Sequence, residues 1–137
     1  MYYDYLVRRD MKIFVVEDSA AVRERLVEMI RELTNIEVVG EAETYAGAVA
    51  GIRDALPDVA ILDIKLANDA GSGIDVLNAV RKELPALRAI VMSNYVTPQH
   101  LKASADAGAE YFLDKTVDFE RIPGILEQMK DEAQAGR

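Results

Sequence analysis

Short apolar runs alternate with amphipathic segments along almost the whole chain, and this order restricts the fold more than any other feature. The runs that favour β-strands are 13–16, 36–40, 59–62, 89–92 and 111–113. Each run precedes a segment whose apolar residues recur at helical spacing. After the first run these residues are Val22, Leu26, Met29, Ile30 and Leu33. Regular alternation of strands and helices predicts a five-stranded parallel sheet with helices on both faces, a doubly wound α/β fold.

Cap and breaker residues mark the predicted helix limits. Ser19 is placed to cap the first helix, and Ser72 lies near the start of the third. Pro57 and Pro85 follow the second and third helices, and Pro98 suits the first turn of the fourth. The start of the last helix is left open by the dipeptide Pro-Gly at 123–124. That helix is predicted to end in the polar tail DEAQAGR.

The 137 residues predict one domain with a single core. We expect this domain to span 12–134, after an N-terminal extension at 1–11 and before a polar tail at 135–137. Lys12 is interpreted as the opening of the first strand. Tyr2, Tyr3 and Tyr5 are interpreted as part of a flexible extension rather than of a docking segment.

Composition excludes several classes of function. The chain has no cysteine and one histidine, which argues against disulfides and against a zinc site. Its apolar runs are far shorter than a membrane span, and its N-terminus lacks a signal-peptide core, so we expect a cytoplasmic protein without membrane contact. The formal charge of -8 argues against nucleic-acid binding by this chain itself.

Polar residues follow four of the five predicted strands. Ligands of open parallel sheets bind beyond the carboxyl ends of the strands, so these residues are expected to converge. They are Glu17 and Asp18 after strand one, Asp63 after strand three, Ser93 after strand four and Lys115 after strand five. Strand two is predicted to contribute nothing comparable.

This set of side chains suits metal-assisted phosphoryl transfer to an aspartate. Three neighbouring carboxylates repel one another unless a cation is present, and oxygen ligands favour Mg²⁺. A lysine can pair with a carboxylate or a phosphoryl oxygen, and a serine hydroxyl can donate to a phosphoryl group. Each residue alone is explained as well by a turn, a helix cap or a solvated charge. The joint placement favours the chemical interpretation.

With these residues in place, the chain from Met11 to Gln134 resembles the response-regulator receiver domains of two-component signalling, the CheY-like fold. The matching residues are the acidic pair Glu17-Asp18, the phosphoacceptor Asp63, the hydroxyl position Ser93, the aromatic position Phe112 and the lysine Lys115. The resemblance implies strand order 2-1-3-4-5. It also implies a signalling domain rather than an enzyme, limited to self-phosphorylation from small donors and slow autodephosphorylation.

The resemblance further implies how the site works. Asp63 would accept a phosphoryl group from the phosphohistidine of a histidine kinase or a phosphotransfer protein. Mg²⁺, with Mn²⁺ as the alternative, would be held by the three carboxylates and by the backbone carbonyl of Lys65. Lys115 would pair with Asp63 and then with the phosphoryl group. Ser93 would turn to donate to that group, and Phe112 would turn inward.

The expected output is a change in the α4-β5-α5 face, formed by the fourth helix, the fifth strand and the fifth helix. This face would contact a downstream protein target or a missing output domain. A phosphorylation-linked dimer through the same face is a further expectation.

Several positions depart from the common family pattern. Thr116 and Ala67 stand where prolines are usual, and the loop 67–72 is about two residues longer than usual. Lys65 adds a cation near Asp63. Asn94 and Tyr95 are bulkier than the common residues, so these three side chains are predicted to restrict access to the site and to alter the lifetime of the phosphoryl group.

Three other functions fit parts of the sequence. A phosphatase of the haloacid-dehalogenase type would need a second aspartate where Lys65 stands. A flavin-binding module is disfavoured by the acidic first loop at 17–19. An unphosphorylated receiver-like docking module remains the main alternative. His100 is interpreted as an exposed helix residue, and Asp114 as a solvated neighbour of Lys115.

Overall fold

The computed structural model describes residues 10–67 and 70–135. Within them, five strands alternate with five helices, and a short 3-10 helix precedes the last. The strands are β1 (Met11–Val16), β2 (Ile36–Ala42), β3 (Val59–Asp63), β4 (Arg88–Ser93) and β5 (Tyr111–Asp114). The helices are α1 (Ala20–Arg31), α2 (Tyr45–Ala55), α3 (Gly73–Arg81), α4 (Pro98–Asp106), the 3-10 helix (Phe119–Arg121) and α5 (Ile122–Ala135). The three tyrosines of the predicted extension lie outside the described residues.

All neighbouring strands pair in parallel, in the order β2-β1-β3-β4-β5, which confirms the predicted fold and strand order. Strand β3 is buried at every residue because it lies in the middle of the sheet with helices on both faces. Its last residue, Asp63, pairs with Met92 of β4. Pairing with β4 therefore continues to the last residue of β3 and places the Asp63 carboxylate at the carboxyl edge of the sheet.

The two faces of the sheet form two core layers. Alternate residues of β1 divide between them, with Ile13 and Val15 on one face and Phe14 and Val16 on the other. The first layer is completed by apolar residues of α1 and α5, and the second by those of α2, α3 and α4. In the parts of the chain that the structure describes, no helix combines the length and the apolar character that crossing a bilayer requires.

Local cap chemistry sets where the helices begin. The hydroxyls of Ser19, Thr44 and Thr97 each accept a hydrogen bond from a backbone amide in the first turn of their helix. Ser72 forms a reciprocal capping box with Asp75 at the start of α3. Pro98 occupies the first turn of α4 as predicted. At the other end of α2, Leu56 takes a left-handed conformation before Pro57.

Three boundaries differ from the sequence prediction. Strand β1 begins at the buried Met11, one residue before Lys12, because its amide pairs with the carbonyl of Asn35. Helix α3 ends at Arg81, before the predicted limit at Pro85. Helix α5 includes residues 131–135, which were predicted as tail. There Glu132 pairs with Arg88 at 2.7 Å, and the remaining residues favour helix.

Gly73 connects the fold to the site. Its amide donates to the carbonyl of Ile64, which closes the loop that follows Asp63. A Cβ atom at this position would lie 2.1 Å from the backbone oxygen of Asp63 and 3.1 Å from the Leu62 Cβ. Only glycine therefore lets the first turn of α3 approach β3 this closely.

We expect Gly73→Ala to destabilise the protein by about 1–3 kcal/mol, because the added methyl group must displace backbone rather than a flexible side chain. The matched control is Gly124→Ala in α5, where nothing lies within 4 Å of the added Cβ. The control should gain about 0.5–1 kcal/mol from the higher helix propensity of alanine. Urea unfolding of both variants measures the difference, and equal stabilities would contradict the close-approach argument.

Candidate functional site

The structure brings the predicted polar residues together at the carboxyl edge of the sheet. Glu17 and Asp18 follow β1, Asp63 ends β3, Ser93 ends β4 and Lys115 follows β5. Carboxylate oxygens of Glu17, Asp18 and Asp63 all lie within 4.8 Å of one another. Glu17 is fully buried, and Asp63 and Ser93 are nearly so. These are charged and polar groups withdrawn from water, which is costly unless they are paired.

Lys115 provides that pairing. Its Nζ lies 2.6 Å from Glu17 Oε1 and donates to Asp63 Oδ2 at 3.0 Å. The amide of Lys115 donates to the carbonyl of Ser93, which fixes the start of this side chain beside β4. One ammonium therefore neutralises part of a cluster of three carboxylates, and an excess of negative charge remains.

The buried cluster changes the protonation of its members. Burial raises the pKa of Glu17 to about 7, against the opposing effect of hydrogen bonds from Lys115 and from the Ser19 amide. Burial also raises the pKa of Asp63, again opposed by Lys115. The pKa of Lys115 is itself raised, since its bonds to the two carboxylates outweigh the burial that lowers it. Added positive charge at this site would stabilise the ionised carboxylates.

The donor set fits a hard divalent cation. All three side chains offer carboxylate oxygens, which Mg²⁺ and Mn²⁺ accept, and their mutual distances allow a shared ion. Asp18 is only half-buried and borders the open space in front of the site. The third carboxylate, that of Glu17, already accepts from the Ser19 amide at 3.0 Å, which orients its Oε2.

A cleft of about 810 Å³ opens onto Asp63. The three residues predicted to restrict access, Lys65, Asn94 and Tyr95, all line it and are exposed. His100 also lines it and is half-buried, with Nδ1 3.4 Å from the carbonyl oxygen of Tyr95. The histidine is therefore less exposed than the sequence suggested.

Ser93 and Phe112 lie on the neighbouring strands β4 and β5. The Ser93 hydroxyl donates to the carbonyl of Tyr95 at 2.8 Å and accepts from the Tyr95 amide at 3.0 Å. Both bonds hold the loop before α4, so the Ser93 hydroxyl is bonded to the Tyr95 backbone and not to the Asp63 carboxylate. Phe112, on the neighbouring strand, is half-buried against the second core layer.

The loop after Asp63 is attached to the segment between β2 and α2. The Ala67 amide donates to the carbonyl of Glu43 at 3.1 Å, and Ala67 forms an isolated parallel bridge with Thr44. Further along, the ring of Tyr45 packs so closely on Gly71 that a Cβ there would lie 2.6 Å from its Cδ1. Proline at position 67 would have no amide hydrogen to donate and would lose the bond to Glu43.

Asp114 has a structural role that the sequence interpretation missed. Its Oδ1 accepts hydrogen bonds from the Thr116 amide at 2.8 Å and from the Thr116 hydroxyl at 2.6 Å. The interpretation of Asp114 as a solvated neighbour of Lys115 did not include this role. Thr116 supplies two donors that a proline lacks, so the turn after Lys115 is held by side-chain hydrogen bonds.

The carboxyl end of β2 contributes backbone contacts to the loops that carry the cluster. Its last residue, Ala42, accepts a hydrogen bond from the Glu17 amide at 3.0 Å, and the adjacent Glu43 holds Ala67. Neither bond involves a side chain of β2 or its following loop. Backbone contacts of this kind leave no residue-type signal, so sequence reasoning could not identify them.

Comparison with known proteins gives a consistent family. The family model of the response regulator receiver domain matches residues 13–127. The DNA-binding transcriptional activator DevR/DosR of Mycobacterium tuberculosis is 33% identical over 107 residues, which cover 78% of this chain and 48% of that protein. The sensory transduction protein LytT of Bacillus cereus is 29% identical, covering 91% of this chain and 49% of that protein. The chain thus spans about half the length of these curated relatives.

Solved structures show the same fold. The signal receiver domain of the putative response regulator NarL from Mycobacterium tuberculosis has a TM-score of 0.76 and 28% identity, covering 89% of this chain and 98% of that chain. A CheY-like receiver domain protein from Methanospirillum hungatei has a TM-score of 0.82 and 21% identity, covering 93% and 99% respectively.

The raised pKa of Glu17 predicts how the stability of the metal-free protein depends on pH. Between pH 4.5 and about 7 the folded protein keeps a proton that unfolded Glu17 has released. The free energy of unfolding should therefore fall as pH rises through this window, by about 1–3 kcal/mol. Urea unfolding from pH 5 to 7.5 measures this slope. In Glu17→Gln the slope should flatten, and an unchanged slope would show that Glu17 does not titrate there.

Proposed function

Because the chain belongs to the response regulator receiver domain family, we propose that Asp63 is its phosphoacceptor and that the acidic cluster binds Mg²⁺ for the transfer. The observation that carries this proposal is the position of Lys115 Nζ between Glu17 and Asp63, at 2.6 and 3.0 Å. A lysine held between two buried carboxylates is poised to exchange one of them for a phosphoryl oxygen.

The transfer is a displacement at phosphorus. A carboxylate oxygen of Asp63 forms a bond to the phosphorus of a partner's phosphohistidine while the phosphorus–nitrogen bond breaks. The electron pair of that bond stays on the imidazole nitrogen. Because Asp63 lines the cleft together with Lys65, Asn94 and Tyr95, the partner's imidazole would approach Asp63 past these exposed side chains.

Each side chain of the site has a distinct task. Mg²⁺ would be held by the carboxylates of Glu17, Asp18 and Asp63 and by the backbone carbonyl of Lys65. When bound, it would neutralise charge on the phosphoryl oxygens. Lys115 stabilises the carboxylate of Asp63 before transfer and the phosphoryl group afterwards. Glu17, buried and with a raised pKa, takes its charged form when a cation arrives. The proposed task of Glu17 is thus to bind the cation.

The switch starts at Ser93. Its hydroxyl holds both backbone groups of Tyr95, so turning it toward a phosphoryl oxygen releases the loop that leads into α4. Phe112, half-buried on the adjoining strand, turns inward to fill the space. A phosphoryl group brings roughly two negative charges and three acceptor oxygens, enough to favour this rearrangement. The α4-β5-α5 face then changes its contacts.

The partners follow from the family and from the lengths of the relatives. We propose a histidine kinase or a phosphotransfer protein as donor, in the cytoplasm. DevR/DosR is a DNA-binding transcriptional activator about twice as long as the matched region, so an output domain or a downstream protein target is the proposed receiver of the signal. Dimerisation through the α4-β5-α5 face belongs to the same proposal, as does a single receiver domain whose strands and helices run from Met11 to Ala135.

The central experiment is intact-mass measurement after incubation with acetyl phosphate and Mg²⁺. Wild type should gain the mass of one phosphoryl group, and Asp63→Asn should gain none, because an amide oxygen is a poor nucleophile. The matched control is Asp54→Asn, which alters an exposed carboxylate of α2 and should be modified like wild type.

Two results would overturn this assignment. Wild type that stays unmodified by acetyl phosphate and does not bind beryllofluoride would favour an unphosphorylated docking module. Release of inorganic phosphate from a phosphomonoester at a steady rate, abolished in Asp63→Asn, would favour the phosphatase alternative.

Access to the phosphorylated site gives a separate prediction. Asn94 and Lys65 border the approach to Asp63, so truncating either should expose the phosphoryl group to water and speed its hydrolysis several-fold. Loss of phosphoryl mass with time, after removal of the donor, measures the rates for Asn94→Ala and Lys65→Ala. Lys82→Ala, an exposed lysine at the end of α3, should hydrolyse like wild type. Unchanged rates in both cleft variants would refute the access role.

A further inference from the structure

Arg23 of α1 reaches across to the loop that carries the acidic pair. Its Nη1 donates to the backbone carbonyl of Glu17 at 2.8 Å. The guanidinium also lies 3.5 Å from a carboxylate oxygen of Glu41 and 3.7 Å from one of Glu43. Only 19% of the Arg23 side chain is exposed, whereas the side chains of Glu41 and Glu43 are 39% and 58% exposed. The bond to the Glu17 carbonyl is therefore the most strongly held of the three contacts.

The bond from Arg23 to the Glu17 carbonyl acts on the backbone between two of the clustered carboxylates. The carbonyl belongs to the peptide group that joins Glu17 to Asp18, two of the three clustered carboxylates. The amide of Glu17 is already held by Ala42 of β2. With Arg23 on the carbonyl, both backbone polar groups of Glu17 have partners, and the direction in which Asp18 leaves the sheet is fixed.

The segment that follows β2 also holds the loop after Asp63. Glu43, which faces the Arg23 guanidinium through its carboxylate, accepts the Ala67 amide through its carbonyl. Arg23 and Glu43 therefore connect the loop after β1 with the loop after β3. The connection runs through the carboxyl end of β2, which supplies no member of the cluster itself.

We propose that Arg23 is a positioning residue for the divalent-cation site. It holds the Glu17–Asp18 backbone and, through Glu43, the loop that follows Asp63, so that the three carboxylates are in place before a cation binds. This inference rests on the proposed function, because it requires that the cluster binds a cation at all.

Electrostatic repulsion and backbone positioning by Arg23 predict opposite changes in cation affinity when Arg23 is removed. Arg23 is a cation beside an acidic cluster, so its removal should strengthen cation binding if only electrostatic repulsion mattered. Removal should weaken binding if Arg23 acts by holding the backbone. Partners that orient metal ligands typically change metal affinity by about 10–100-fold when they are lost.

The test is calorimetric titration with Mg²⁺ alone, without any phosphoryl donor. We expect Arg23→Gln to raise the dissociation constant about tenfold or more. Arg23→Lys keeps the charge but loses the forked geometry, so it should bind with an affinity between those of wild type and Arg23→Gln. The matched control is Arg53→Gln, which removes an equal charge from an exposed arginine of α2 paired with Glu83 and should bind like wild type.

Thermal unfolding without metal separates positioning from plain stability. A lower melting temperature with an unchanged dissociation constant would mean that Arg23 only stabilises the fold, and would overturn the proposal. Tighter binding in Arg23→Gln would overturn it in favour of simple repulsion. If Arg23→Gln fails to fold, Arg23→Lys decides, since repulsion predicts no change in its affinity and positioning predicts weaker binding. Wild type that binds no Mg²⁺ would refute the proposed function instead.

Discussion

The ion pairs of Lys115 with Glu17 and Asp63 are the interaction on which the site depends. Moving a carboxylate or an ammonium out of water costs several kcal/mol, and a buried pair repays this only with good geometry. Here one ammonium lies within 3.0 Å of two carboxylates while a third stays half-exposed beside them. The cluster is therefore held together but left short of positive charge. A divalent cation would supply the missing positive charge.

The elements around this cluster can be understood as its support. Gly73 allows α3 to approach the carbonyl of Asp63, and the Ala67 amide attaches the loop between them to Glu43. On the other side, Asp114 holds Thr116 in the turn after Lys115. At both positions where the family usually has proline, this chain uses a backbone amide as a hydrogen-bond donor. The conformations are thus maintained by hydrogen bonds rather than by a fixed φ angle.

Local features of the sequence were reliable guides to the fold. Buried parallel strands need continuous apolar runs, and helix starts need side-chain acceptors, so 59–62, Ser19 and Ser72 could be assigned from residue type alone. Errors arose where a distant contact decided the outcome. Glu132 continues α5 beyond its predicted end because Arg88 lies beside it, and β1 begins at Met11 because Asn35 accepts its amide. No local pattern contains those partners.

The sequence by itself determined the order of strands and helices, the family, and which side chains meet at the carboxyl edge of the sheet. It could do so because side-chain periodicity and strand ends are local properties, and a parallel sheet places all strand ends together. Tertiary structure alone decided how these groups are held. The contacts of Arg23 with Glu17, of Ala67 with Glu43 and of Ser93 with Tyr95 all involve backbone atoms. Every residue type carries those atoms, so only the folded chain can select the partners.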